Sequence, residues 1–366
     1  MKIKDPSARY HRQMLLPGFG QKGQDKLYNA RVLVVGAGGL GCPALQYLAA
    51  AGVGTIGIAD DDLVSLSNLQ RQILYSMQDI GLPKAETAAK KIGQLNPDIL
   101  IISHSFKLSS LNALDVIRNY DIIIDGTDNF SSRYMINDAC VLLNKPLVYG
   151  AISQFEGQVC IFNVTDIAGI RVNYRDLFPN PPKENEVLNC AEAGVIGTLP
   201  GIIGTMQAAE TIKLITGIGE PLINRMLVYN SLNNEIYELS VQPSGNSSCL
   251  PETESAFFNM DYQDFCGIQQ DGSAEIDADF FDLATDNNLF TIIDVREYGE
   301  QPQIDYFDHL NIPMSEIREN IPDIHTDKVI LFCQTGKRSL EALLLMRNLY
   351  PSKEIYSLKG GLAELM

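Results

Sequence analysis

Nowhere does this 366-residue chain carry the run of roughly twenty apolar residues that a membrane span requires. Its longest apolar runs are broken by Gly, Thr or a charge, which argues against a helical membrane protein. The opening stretch, MKIKDPSARYHRQMLLPGF, holds no apolar core of signal-peptide length. Positive charge is scarce too: 28 Lys and Arg stand against 45 Asp and Glu, for a formal net charge of −17. That balance disfavours nucleic acid or an anionic membrane as the main partner. Histidine is limited to His11, His104, His309 and His325, none with metal-ligand spacing. The seven cysteines are odd in number and scattered, so they do not suggest a disulfide framework. Internal repeats and low-complexity tracts are absent. The expectation is a cytoplasmic globular protein with reduced thiols, long enough for two domains.

What is present begins with R-V-L-V-V-G-A-G-G-L-G at 31–41. The apolar run from Val32 to Val35 suits a strand buried on both faces. Gly36, Gly38 and Gly41 follow as G-x-G-x-x-G, and residues 42–51 are Ala- and Leu-rich, as a helix would be. Such a turn lets backbone N–H groups approach a phosphate at a helix N-terminus. A second strand at 55–59 ends on Asp60, placed to hold a ribose hydroxyl. By itself this fingerprint fits a dinucleotide enzyme or a structural glycine turn.

Further along, helical patterns at 84–95, 111–118 and 133–143 alternate with strands at 100–103, 120–125 and 146–151, and a further strand is expected at 158–162. Alternation of this kind predicts a doubly wound, mostly parallel α/β sheet. A Pro-rich irregular stretch covers 170–188, a long helix 200–217, and a closing hairpin 226–239. The domain expectation is 1–242 for the nucleotide-binding unit, 243–275 for a polar linker, and 276–366 for a smaller α/β domain. In that last domain the strand V-I-L-F-C leads into a loop, C-Q-T-G-K-R-S, before a helix from Leu340.

After the glycine turn, Asn68, Arg71 and Gln72 share one polar loop, Lys84 opens a helix, and Asp128 follows a buried strand. Cations converging on a glycine turn suit a triphosphate better than a dinucleotide. A strand-end aspartate suits Mg²⁺ shared with phosphate oxygens. Each cation alone would be read as solvated surface charge; their combination is what counts against that.

Residues 5–240 resemble the MoeB/ThiF family of adenylyltransferases, relatives of the ubiquitin-activating enzymes. The segments that carry this are R-Y-H-R-Q (9–13), G-A-G-G-L-G (36–41), D-D-D-L-V-S-L-S-N-L-Q-R-Q (60–72), G-L-P-K (81–84), G-T-D-N (126–129) and C-A-E-A-G-V (190–195). The resemblance implies that Gly39, Asp60, Ser67, Asn68, Leu69, Gln70, Arg71, Lys84, Asp128 and Asn129 contact ATP and Mg²⁺, with Asp128 on the metal. Asp62 and Gln72 lie in the same matching loop and are placed with them. It also implies that Arg12 reaches the nucleotide of a neighbouring subunit, hence a homodimer through the N-terminal domain.

Cys333 closes a buried strand where the loop feeds a helix N-terminus, so backbone N–H groups, Lys337 and Arg338 are expected to lower its pKa. Without that context it would read as a core cysteine. The loop Cys333, Gln334, Thr335, Gly336, Lys337, Arg338, Ser339, together with D-V-R-E (294–297), N-I-P (311–313) and L-K-G-G-L (358–362), resembles a rhodanese domain. That resemblance implies a persulfide on Cys333. At Cys190 the adenylyltransferase family has a cysteine able to link covalently with the carrier or with the rhodanese cysteine. Cys42, Cys140, Cys160, Cys249 and Cys266 are read as core or linker residues.

Family members usually hold Zn²⁺ with two C-x-x-C pairs, a four-thiolate site. Here Asn173 and Asp176 occupy the first pair's places, and only Cys249 remains of the second. No structural zinc is expected, which leaves the order of residues 170–190 open.

These resemblances imply a two-domain enzyme. It would use ATP to adenylate the C-terminal glycine of a small ubiquitin-like sulfur carrier ending in Gly-Gly, then transfer persulfide sulfur to give a thiocarboxylate, as in molybdopterin or thiamine metabolism. A persulfide donor such as a cysteine desulfurase would load Cys333. The alternatives are activation of a different acid, such as a tRNA-linked one, or a non-catalytic nucleotide-binding scaffold.

Overall fold

In the computed structural model, which describes residues 7–182, 194–244, 250–266, 275–285, 290–317, 324–350 and 353–365, β1 (Arg31–Val35) lies inside an eight-stranded sheet. Its neighbours are β2 (Thr55–Ala59) and β4 (Ile122–Asp125), both parallel to it, with Val34 opposite Ile58 and Val35 opposite Asp125. β3 (Leu100–His104) pairs outside β2, and β5 (Leu147–Ser153) outside β4. Successive β1 side chains point to opposite faces. Val32 and Val34 therefore join the core under the helices Gly41–Ala51, Lys84–Leu95 and Thr198–Thr216. Leu33 and Val35 join the core under the helices Ala113–Ile117 and Phe130–Leu142. Two covered faces explain why this strand carries no polar alternation.

From β5 onward the sheet turns antiparallel, through β6 (Glu156–Phe162), β7 (Arg225–Asn230) and β8 (Glu235–Ser240). β8 is the sheet edge, and its acidic and apolar residues alike are exposed. The chain reverses its direction of sheet growth between β1 and β4, since β1, β2, β3 run one way and β4, β5 the other. Ligand crevices form outside the carboxyl ends of strands at such a reversal.

By its contacts the chain divides into one unit of 1–268 and a second of 269–366. Within the stretch expected as a linker, the short helices Glu254–Phe258 and Tyr262–Phe265 pack on the first unit, and Phe257 and Tyr262 are buried in its core. Tyr262 donates its hydroxyl to Asp138 Oδ2 at 2.9 Å. The same carboxylate takes two bonds from Arg175, 2.8 Å from Nε and 2.7 Å from Nη2, and the Arg175 guanidinium packs on the rings of Tyr134 and Phe265, which meet edge to face. Asn173 caps the turn Tyr174–Leu177, and Asp176 Oδ1 accepts from the Ser244 N–H at 2.9 Å. Where the family places zinc thiolates, these two positions are therefore engaged in hydrogen bonds. Among the described residues no group of three or more His, Cys, Asp and Glu side chains is placed to hold a metal. Cys249 lies outside the described residues. No described helix is long and apolar enough to cross a membrane.

The second unit is a parallel sheet in the order β11 (Leu310–Asn311), β10 (Phe290–Asp294), β12 (Lys328–Phe332), β13 (Glu354–Leu358), β9 (Glu275–Ile276). The helix Lys337–Leu349 covers one face, burying Ala342, Leu343 and Met346 against Val329, Leu331 and Ile355. Phe281 of the helix Ala278–Thr285 covers the other, against Phe332 and Leu358.

Candidate active site

One cavity of about 280 Å³ opens at the sheet reversal of the first unit. Gly36, Gly38, Gly39, Asp60, Asp62, Arg71, Gln72, Lys84, Asp128 and Asn129 all line it. Those residues come from separate loops at the ends of β1, β2 and β4 and from the start of the helix Lys84–Leu95. Gly36 makes the turn possible. Its φ is +90°, and a Cβ there would stand 2.7 Å from the Gly126 carbonyl oxygen. Gly41 starts the following helix, where a Cβ would collide with the Gly36 carbonyl oxygen.

Asp60 ties the glycine turn to the next loop. Its Oδ2 accepts the Ala37 N–H at 2.7 Å and its Oδ1 the Asp62 N–H at 2.9 Å. Burial raises its pKa, against the Lys84 ammonium and these N–H bonds, which lower it. Lys84 donates to Asp62 Oδ2 at 2.7 Å. Arg71 donates from Nη1 to the Ser67 carbonyl oxygen at 3.0 Å, one turn earlier in the same loop. Asp128 is exposed at the end of β4, and Asn129 caps the next helix by accepting the Ser132 N–H at 2.9 Å. Ahead of them the buried Asp125 accepts from Thr127 N and Oγ1 at 2.9 and 2.6 Å, which shapes the turn that presents Asp128.

Gly41, Ser67, Asn68, Leu69 and Gln70 flank the cavity without lining it, and Arg12 stands exposed on the helix Ser7–Met14. Cys190 lies outside the described residues. The structure adds residues that the sequence reading did not single out: Asp61, Phe106, Lys107, Leu108, Ser132, Arg133 and Met135 also line the cavity. Lys107 follows β3, whose carboxyl end borders the same crevice, and Arg133 sits in the first helical turn after Asp128. Those strand-end and helix-start positions were the available signals.

In the second unit Cys333 is buried at the end of β12. The helix begins at Lys337, three residues before the expected Leu340, because Gly336 takes the left-handed conformation (φ +81°) and lets the chain turn at once. The first helical turn consequently faces the sulfur: Ser339 approaches Cys333 Sγ with its N–H at 3.4 Å and its hydroxyl at 3.6 Å. Burial pushes this thiol's pKa up, but hydrogen bonds from the Ser339 hydroxyl and from the Ser339, Thr335 and Arg338 N–H groups outweigh it, so the net shift is downward. The Arg338 guanidinium is held by Glu300, with Nη2 2.8 Å from Oε2. Arg338 thus acts on the sulfur through its backbone N–H as well as through its charge. Gln334 Oε1 is buried in the same loop without a hydrogen-bond partner.

A glycine-rich turn, facing cations and a strand-end aspartate around one cavity of a doubly wound sheet define a nucleotide-binding α/β protein. A ThiF family profile matches residues 10–250. The probable adenylyltransferase/sulfurtransferase MoeZ of Mycobacterium tuberculosis is 41% identical over 98% of this chain and 92% of its own length. The sulfur carrier protein adenylyltransferase of Thermus thermophilus is 46% identical over 73% of this chain and 98% of its own. The adenylyltransferase and sulfurtransferase MOCS3 of Drosophila grimshawi is 36% identical over 98% of this chain and 83% of its own. The crystal structure of Escherichia coli MccB with AMPCPP and MccA shares the fold, at TM-score 0.56 and 24% identity over 64% of this chain and 72% of that one. The chain belongs to the ThiF family, as an enzyme of the adenylyltransferase/sulfurtransferase type.

Proposed function

We propose that the first unit uses MgATP to adenylate the C-terminal carboxylate of a small ubiquitin-like sulfur carrier, and that Cys333 supplies the sulfur that replaces AMP. The observation that carries this reading is the convergence of the glycine turn, Arg71, Lys84 and Asp128 on one cavity. The relatives named for sulfur carrier adenylylation and for sulfur transfer support the choice of substrate.

The charges of the cavity speak for a metal. Asp60, Asp61, Asp62 and Asp128 face Arg71, Lys84, Lys107 and Arg133, four acids against four bases. A free triphosphate would enter without net attraction, whereas MgATP brings its own counter-charge. Asp128, exposed at a strand end, suits a hard cation. Bound there, Mg²⁺ would neutralise phosphate charge.

The carrier carboxylate attacks the α-phosphorus, pyrophosphate leaves, and Arg71 and Lys84 stabilise the charge spread over the phosphate oxygens. Asp60 holds the ribose. The terminal sulfur of a Cys333 persulfide then attacks the acyl carbon, AMP leaves, and an acyl disulfide remains. Cys190 would attack the Cys333 sulfur of that disulfide, releasing the thiocarboxylate and leaving a Cys190–Cys333 disulfide for an external reductant. The four N–H and O–H donors around Cys333 hold the anionic sulfur that each step requires.

A homodimer completes the reading. Arg12, outside the cavity of its own chain, would supply charge to a second subunit's phosphates. An apolar groove lined by Pro43, Tyr47, Ile73, Leu95, Ile202 and Met206 supports such an interface. ATP–pyrophosphate exchange with candidate carriers tests the reading: a Gly-Gly-ended carrier should support exchange, and a scaffold would show none.

A further inference from the structure

The Lys84 ammonium is not simply offered to the cavity. Its side chain is 6% exposed, its Nζ stands 2.7 Å from Asp62 Oδ2, and the Asp62 side chain is 68% exposed. Because the lysine is enclosed and its partner is open, the accessible side of the ammonium is the side that Asp62 occupies. The pairing is fixed from the backbone as well. The Lys84 N–H donates to the Asp62 carbonyl oxygen at 2.9 Å, and Leu63 bridges to Pro83. Asp60 accepts the Asp62 N–H and so locks that loop to the glycine turn.

We propose that Asp62 is a built-in competitor for the triphosphate: its carboxylate and a phosphate oxygen contend for the one ammonium of Lys84. This rests on the reading that Lys84 meets nucleotide phosphate. The consequence is an ATP affinity below what Lys84 would give unopposed, with the carboxylate ready to recapture the ammonium as pyrophosphate departs. Asp62 is then a specificity-setting residue that weakens ground-state binding, the opposite of an ATP ligand. Binding of substrate that is weaker than the site allows leaves more of the interaction for the transition state.

The test compares MgATP affinity, by calorimetry on the full chain, for wild type, Asp62→Asn and Asp61→Asn. Adenosine serves as a control, through its Ki as a competitive inhibitor of exchange. Asp62 is exposed and its backbone bond to Lys84 survives the change, so folding is not at stake. Asp62→Asn should tighten MgATP by roughly two- to fivefold, the worth of a partly exposed ion pair, and leave adenosine unchanged. Asp61→Asn removes the same charge from the same cavity without freeing Lys84, and should shift MgATP less than about twofold. Equal or weaker MgATP binding in Asp62→Asn overturns the proposal. So does equal tightening in Asp61→Asn, which would reduce the effect to through-space charge. A Lys84→Met variant binding MgATP as wild type does would instead overturn the parent reading of Lys84.

Discussion

Cys333 and Cys42 are both buried thiols, and their acidities move in opposite directions. Burial pushes Cys42 up to about 12, with its Sγ facing the Ala37 carbonyl oxygen at 3.3 Å, an acceptor that stabilises the protonated form. At Cys333 burial acts in the same sense but the donors around the sulfur reverse it. Since the folded-state pKa is lowered, thiolate forms below the ordinary thiol midpoint of 9.0. Removing a donor must move that midpoint up. Ser339→Ala should therefore raise the pH midpoint of sulfur transfer and slow the reaction several-fold at neutral pH, while Cys42 stays inert to small alkylating reagents. A midpoint unchanged in Ser339→Ala would assign the shift to the backbone donors alone. In the other unit, Asp128→Ala should abolish ATP–pyrophosphate exchange and leave Cys333 sulfur transfer intact, because an exposed strand-end side chain is lost without a core cavity. Wild-type exchange in that variant would remove Asp128 from the site. Residues of this kind were legible in the sequence where they sat in a spaced motif. Lys107 and Arg133 belong to no such spacing, and a lone cation reads as surface until the fold turns it inward.

At the scale of elements, the buried apolar runs of β1, β2 and β4 declared themselves, because a strand covered on both faces has no polar alternation to confuse with a loop. The helices Glu254–Phe258 and Tyr262–Phe265 did not. They are one turn each, and what holds them is a partner far away in sequence: Tyr262 reaches Asp138, 124 residues earlier. The stretch around them, 241–273, is enriched in Ser, Gly, Asn, Asp and Gln, and that shift in composition suggests a linker. The structure shows a buried hydrogen-bonded set, Arg175, Asp138 and Tyr262, beside Asn173 and Asp176, which stand where the family carries zinc thiolates. Asp138→Ala should destabilise the first unit by ~3–5 kcal/mol, since it strands a buried guanidinium. Tyr262→Phe should cost about 1 kcal/mol, the loss of one hydrogen bond with the ring kept. Chelator should leave the thermal midpoint of the wild type unmoved, and elemental analysis should find far less than one zinc per chain. A chelator-induced drop of several degrees would mean that a metal, and not these side chains, holds the segment.

For the whole molecule the decisive quantity is charge. The chain is strongly acidic, yet its nucleotide cavity carries acids and bases in equal number. Balance of this kind makes a cation brought from outside the cavity useful in the transition state, where phosphate charge is being redistributed. Arg12 is such a cation: it is exposed, it lies on the first described helix, and it does not line the cavity of its own chain. If it acts across a symmetric interface, each site is built from two chains, and defects on different chains complement. Neither Arg12→Ala nor Asp128→Ala homodimers should catalyse exchange at more than a few per cent of the wild-type rate. Mixed and allowed to re-associate at equal concentration, they form heterodimers for about half of the population. In each heterodimer, the Arg12→Ala chain keeps its own Asp128 and receives the arginine of its neighbour, so one of the two sites is whole. The mixture should recover about one-quarter of wild-type activity, and the recovery should require both variants together. If Arg12 served its own chain, every chain in the mixture would carry one lesion in its own site, and activity would stay at the level of the separate variants.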